Sequence, residues 1–125
     1  MSNVVSLASL VLACKDRVRR KEYAECLRSA GYAVVEAGSA AEAIERFGSR
    51  DYGLLVCEED LGDDTANSML RALDVMLTGG TKQRALVISD EDLRERYGDA
   101  ASIVSSPLTP SALVDAVRAA FSRHI

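Results

Sequence analysis

Two short stretches of this chain concentrate the side chains that could do chemistry. Glu58, Glu59 and Asp60 stand in a row, with Asp63 and Asp64 just beyond, and Cys14, Lys15 and Asp16 stand together far upstream. A hard divalent ion wants carboxylate oxygens, which neither a thiol nor an ammonium supplies. A lysine close to carboxylates can instead neutralise them without metal. A basic run, Arg17, Arg19, Arg20 and Lys21, follows the second stretch. Other chemistries lack their parts. Cys14, Cys26 and Cys57 are odd in number, match no C-x-x-C spacing, and with His124 as the lone histidine make no zinc set. No Ser-His-Asp or Cys-His arrangement, no G-x-G-x-x-G and no P-loop occurs. We therefore expect no enzyme, no metal and no cofactor, and read Cys14 and Cys57 as structural thiols.

The elements that must position these residues belong to a chain of 125 residues, 48% hydrophobic and 27% charged. That length and balance suit one folded domain and exclude intrinsic disorder. With neither repeat nor linker, the expectation is a single domain over residues 1–125. Fifteen Lys+Arg against nineteen Asp+Glu leave a net charge of −4, so no DNA binding is expected. The apolar run at 4–14 is too short to span a bilayer and has no basic segment before it. Neither membrane nor signal peptide is implied, and reduced thiols in the cytoplasm are the expectation.

Short apolar runs at 9–14, 32–36, 53–57, 84–88 and 102–105 read as buried strands. Between them the spacing predicts helices. The first, over 17–30, has Val18, Tyr23, Cys26, Leu27 and Ala30 inward and stops at Gly31. A second is capped by Ser39 with Glu42 three residues on, and buries Ala43, Ile44 and Phe47. A third covers 65–77, with Met69, Leu70, Leu73 and Met76 as its stripe, and residues 90–97 form a short charged turn or helix. The last starts at Thr109 and Pro110 and buries Leu113, Val114, Val117 and Phe121. Such alternation means an α/β fold, a doubly wound parallel sheet of five strands with helices on both faces. Its reactive or ligand-holding groups belong at the carboxyl ends of the strands.

The order and spacing of these elements resemble the receiver domain of bacterial response regulators. The likeness is carried by Gly31-Tyr32, by Ala37 through Ile44, by residues 52–58 and by Ser105-Ser106-Pro107-Leu108, which resembles the family's Lys-Pro-aromatic turn. It covers nearly the whole chain and implies a flavodoxin-like sheet of order 2-1-3-4-5. In that likeness Glu58 takes the place of the phosphoacceptor aspartate, and its extra methylene spoils in-line transfer. Cys14 and Lys15 take the places of the acidic pair that holds magnesium. Ser106 replaces the lysine that steadies the phosphoryl oxygens, and Ile103 replaces the aromatic that moves with phosphorylation. Ser89 alone stands as the family has it, and Asp16 and Pro107 complete the pocket.

The resemblance therefore implies a degenerate, stand-alone pseudo-receiver, acting in bacterial two-component signalling by protein–protein interaction without conventional aspartyl phosphorylation. Glu58 is either a fixed charge imitating an active state or a drifted residue in a domain that no longer switches. Lys15 is expected close to Glu58, neutralising Glu58, Glu59 or Asp60 in place of a cation. Arg17, Arg20 and Lys21, with Arg94, Arg96 and Tyr97, are the candidate interaction residues for a histidine kinase or other signalling protein. The alternative is an effector of the same fold whose basic residues hold an anionic ligand such as a cyclic dinucleotide.

Overall fold

The computed structural model describes residues 9–48, 53–76, 85–89, 102–105 and 109–122. Strands β1 (Ser9–Ala13), β2 (Ala33–Ala37), β3 (Leu54–Glu58), β4 (Ala85–Ser89) and β5 (Ser102–Ser105) are interleaved with helices. Among the described residues these are α1 (Arg17–Ser29), α2 (Ala40–Gly48), α3 (Ala66–Met76) and α4 (Pro110–Ser122). All strand pairs are parallel, and the order is β2-β1-β3-β4-β5. The four strands β2-β1-β3-β4 supply the described core, and β5 extends the sheet along β4 by backbone pairs from Leu86↔Ser102 to Ser89↔Ser105.

Strict alternation sorts the strand side chains to two faces. Val11, Ala13, Leu55, Cys57, Ala85 and Val87 pack with Ala43 and Phe47 of α2 and Met69 and Leu73 of α3. Leu10, Leu12, Leu54, Val56, Leu86 and Ile88 pack on the other side, with Tyr23 and Leu27 of α1 and Leu113 and Val117 of α4. Each fully buried Leu or Val contributes roughly 1.5–3 kcal/mol, so these two layers dominate the fold's stability. Tyr32 stacks on Phe121 with ring centroids 5.4 Å apart, tying the start of β2 to the end of α4. No helix among the described residues is long and apolar enough to cross a membrane.

The helix ends follow the capping residues. Asp16 caps α1 by accepting from the Arg19 N–H, and Ser39 and Thr109 accept from Glu42 and Ala112. Gly31 leaves α1 at φ +104°, a conformation that a side chain would strain. Two expectations change. Val18 is not inward but 69% exposed, because a helix beginning at Arg17 turns Tyr23, Ala24 and Leu27 to the core and Val18 away from it. Ala30 is exposed too, because it is the C-cap residue of α1 rather than part of its buried stripe, while Glu58 ends β3, its backbone paired with Ile88. The 90–97 segment with Arg94, Arg96 and Tyr97, and the turn at Ser106 and Pro107, lie outside the described residues.

Candidate functional site

The carboxyl ends of β1 and β3 are neighbours, with Ala13 opposite Cys57. Beyond Ala13 the Cys14 N–H donates to the Ala37 carbonyl at 3.0 Å, which holds Cys14 beside β2 and fully buried. Its thiol donates to Glu58 Oε1 at 3.2 Å. Burial first, and then this contact with Glu58, push the Cys14 thiol up to about 11 from its ordinary 9.0. At neutral pH Cys14 is a protonated donor.

Glu58 is largely buried, and its carboxylate is met by the Nε–Nη2 side of the Arg19 guanidinium. Arg19 Nε donates to Oε2 at 2.6 Å and Nη2 donates to Oε1 at 2.8 Å, a two-pronged pair. The third guanidinium nitrogen, Nη1, lies 3.6 Å from Asp16 Oδ2. The hydrogen bond to Glu58 holds Arg19 above its usual range, so it stays a cation. Asp16 is held below the usual carboxylate range, chiefly by the Arg19 N–H that it caps.

Lys15 pairs with one of the three carboxylates expected of it, Asp60, and not with Glu58. Its ammonium pairs with Asp60 Oδ2 at 2.7 Å, in an exposed contact on the loop after β3. Asp60 Oδ1 accepts from the Gly62 N–H at 2.9 Å, and both contacts, the lysine first, lower its pKa. Arg19 is the residue that neutralises Glu58. The basic run concealed this, because a row of cations does not say which one turns inward. A signal was present nonetheless: Arg19 lies four residues before Tyr23 and eight before Leu27, on the stripe that α1 buries.

Arg20 also departs from its expected role as an outward contact. Nη1 donates to the Cys14 carbonyl at 3.0 Å and Nε to Glu36 Oε1 at 3.2 Å, while Arg28 reaches Glu36 Oε2 at 3.3 Å. Gly38 gives Arg20 room, since a Cβ there would stand 3.0 Å from Nη1. Arg17 and Lys21 are exposed on α1, flanking Val18. Ser89 is buried at the end of β4. Asp63, unlike Arg19, is a residue that spacing could not reveal: its carboxylate accepts from the Ala40 N–H at 2.7 Å and the Ala41 N–H at 3.0 Å, capping α2 from another loop. Those two bonds hold its pKa down.

With this geometry in hand, the fold can be placed among known proteins. No protein-family model matches the chain, and no curated protein matches it in sequence. In three dimensions it has the flavodoxin-like fold of the CheY-like receiver domains of response regulators. It is similar to the chemotaxis protein CheY4 of Vibrio cholerae, with TM-score 0.80 and 16% identity over 90% of this chain and 98% of that one. A response-regulator receiver domain protein of Clostridium thermocellum matches with TM-score 0.80 and 15% identity, over 94% of this chain and 96% of that one. A third structure belongs to a family of streptococcal redox sensors evolved from two-component response regulators. It matches with TM-score 0.80 and 21% identity over 93% of this chain and 52% of that one.

The receiver resemblance implies a magnesium ion at these strand ends, and the donor set does not suit one. Both oxygens of Glu58 are engaged by a guanidinium, the neighbouring thiol is a donor, and Lys15 brings a positive charge to the same loop. Among the described residues, no group of three His, Cys, Asp or Glu is gathered in a way that could hold a metal ion. A hard divalent ion needs several free oxygen ligands.

Proposed function

We propose that this chain is a pseudo-receiver: a receiver-fold module of two-component signalling that works by binding another protein and is not phosphorylated on an aspartate. The observation that carries this reading is the two-pronged Arg19–Glu58 pair. Phosphoryl transfer needs a free carboxylate oxygen in line with the donor, and a cation to neutralise the charge that develops. Glu58 has its oxygens engaged, reaches a methylene too far, and has the Cys14 thiol in place of a carboxylate beside it. Without those parts the module has no catalytic role of its own, and its output is the surface it presents. The outer side of α1, where Arg17, Val18 and Lys21 are exposed, suits a signalling protein such as a histidine kinase. For the cyclic-dinucleotide alternative, Arg20 is one basic residue of α1 the less, since it is committed to Cys14 and Glu36.

The test is incubation with acetyl phosphate and magnesium, followed by intact-mass spectrometry. The expected mass is unchanged. An added phosphoryl group on Glu58 or Asp60 would overturn the reading.

A further inference from the structure

The first turn of α1 holds Arg17, Arg19 and Arg20 and no acidic residue. Backbone N–H groups give that end of a helix a partial positive charge, so cations there work against the helix. Something outside the helix must favour them. For Arg20 it is Glu36 and the Cys14 carbonyl. For Arg19 it is the end of β3, and its geometry is more specific. One guanidinium spans two acidic residues, with two nitrogens on the two oxygens of Glu58 and the third facing Asp16. The Cys14 thiol is a third donor to Glu58 and the second on its Oε1, so donors and no metal ligands converge on that carboxylate.

We propose that Arg19 is the resident cation of this site: its guanidinium occupies the ground between Glu58 and Asp16 that a divalent ion would need, and it binds the start of α1 to the end of β3 without metal. The inference rests on reading Glu58 as the acceptor-equivalent residue. It also replaces Lys15, which the sequence had suggested, by a residue of different chemistry. An ammonium is a single point charge on a flexible stem, whereas a guanidinium matches a carboxylate with two parallel N–H bonds. The planar fork takes both oxygens together and leaves neither free for bidentate coordination. Its charge also repels any second cation.

Manganese makes a suitable probe, because its binding is read directly from water-proton relaxation, alongside thermal melts of the full chain with and without magnesium. The native protein should melt at one temperature whether or not magnesium is present. Arg19→Gln should melt lower, should be raised again by magnesium, and should bind manganese about tenfold more tightly than the native chain, since a charge beside two carboxylates has gone. Arg19→Lys keeps the charge and loses the fork, so it should melt lower yet stay indifferent to magnesium. If Arg19→Gln alone does not fold, Arg19→Gln with Glu58→Gln should restore folding, because no uncompensated buried charge remains. Failure of that rescue, or an Arg19→Gln variant that melts and binds manganese as the native chain does, overturns the inference. Acyl phosphate formation on the native chain would instead overturn the pseudo-receiver reading, so the two failures are told apart.

Discussion

Replacing Glu58 by glutamine keeps the shape of the side chain and deletes its charge. Glu58 accepts three bonds, from Arg19 Nε, Arg19 Nη2 and the Cys14 thiol. A glutamine has one carbonyl oxygen, so it can keep Nη2 and the thiol or keep Nε, but not all three. Whichever way it turns, its NH2 group faces a guanidinium N–H, donor against donor. A hydrogen bond to a charged group contributes about 1.5–3 kcal/mol. Breaking a fully buried ion pair from one side costs about 3–5 kcal/mol. The Glu58 side chain is only 11% exposed, but that of Arg19 is 40% exposed and can turn back to water, which offsets part of the loss. The expected destabilisation is therefore about 2 kcal/mol. For a domain of this length, between the small and large classes for which the slope is known, that lowers Tm by roughly 6–10 °C. Calorimetry at pH 7 measures it, and urea unfolding with an unchanged m-value shows that the folded state is what changed. The loss should persist in high salt, since a largely buried carboxylate is screened little. A Tm within about 1 °C of the native value would refute the reasoning.

Three further outcomes follow from the same geometry. Asp16, Asp60 and Asp63 all have folded pKa values below the ordinary 3.8, so their stabilisation is present above that value and is lost as pH falls through the lower folded ones. Asp63→Asn should lower the neutral-pH Tm and flatten its fall in acid, and an unchanged acid slope would count against the α2 cap. Cys14 runs the other way: its folded thiol is raised, so stability is full below pH 9.0 and declines as pH rises towards about 11. Cys14→Ser, which keeps a donor without titrating there, should reduce that alkaline loss, and Ellman's reagent should reach half-buried Cys26 well before buried Cys14 or Cys57 in the native protein. Finally, Lys15→Ala breaks only an exposed pair, with side chains 46% and 71% exposed, so its small effect on Tm should vanish in high salt. A loss as large as that of Glu58→Gln would mean that Lys15, and not Arg19, neutralises the site.

Much of the scaffold was legible in the sequence because it is dictated locally. Apolar runs of strand length, Gly31 after the first helix, Ser39 with Glu42, and Thr109 with Pro110 each act through their nearest neighbours, and the structure uses them all at those places. Alternation of strands and helices is likewise enough to require a parallel sheet covered on both faces. It also brings residues more than forty positions apart, Cys14 and Glu58, to the same edge. The class of protein was therefore open to reading, along with the region where its chemistry had to lie.

The partners within that region were decided elsewhere. Which cation of α1 meets Glu58 depends on the rotation of the helix, which is set by the Asp16 cap and by the burial of Tyr23 and Leu27. Successive helix residues point about 100° apart. A one-residue error in the start of α1 therefore exchanges one cation of a basic run for another. Composition is blind to that rotation, since Arg17, Arg19, Arg20 and Lys21 carry the same charge wherever they point. The Asp63 cap on α2 has the same character, because its two bonds close across twenty-two and twenty-three residues. Types, periods and caps are properties of a chain and its near neighbours. Which carboxylate meets which cation is a property of packed elements, and here only the tertiary structure decided it.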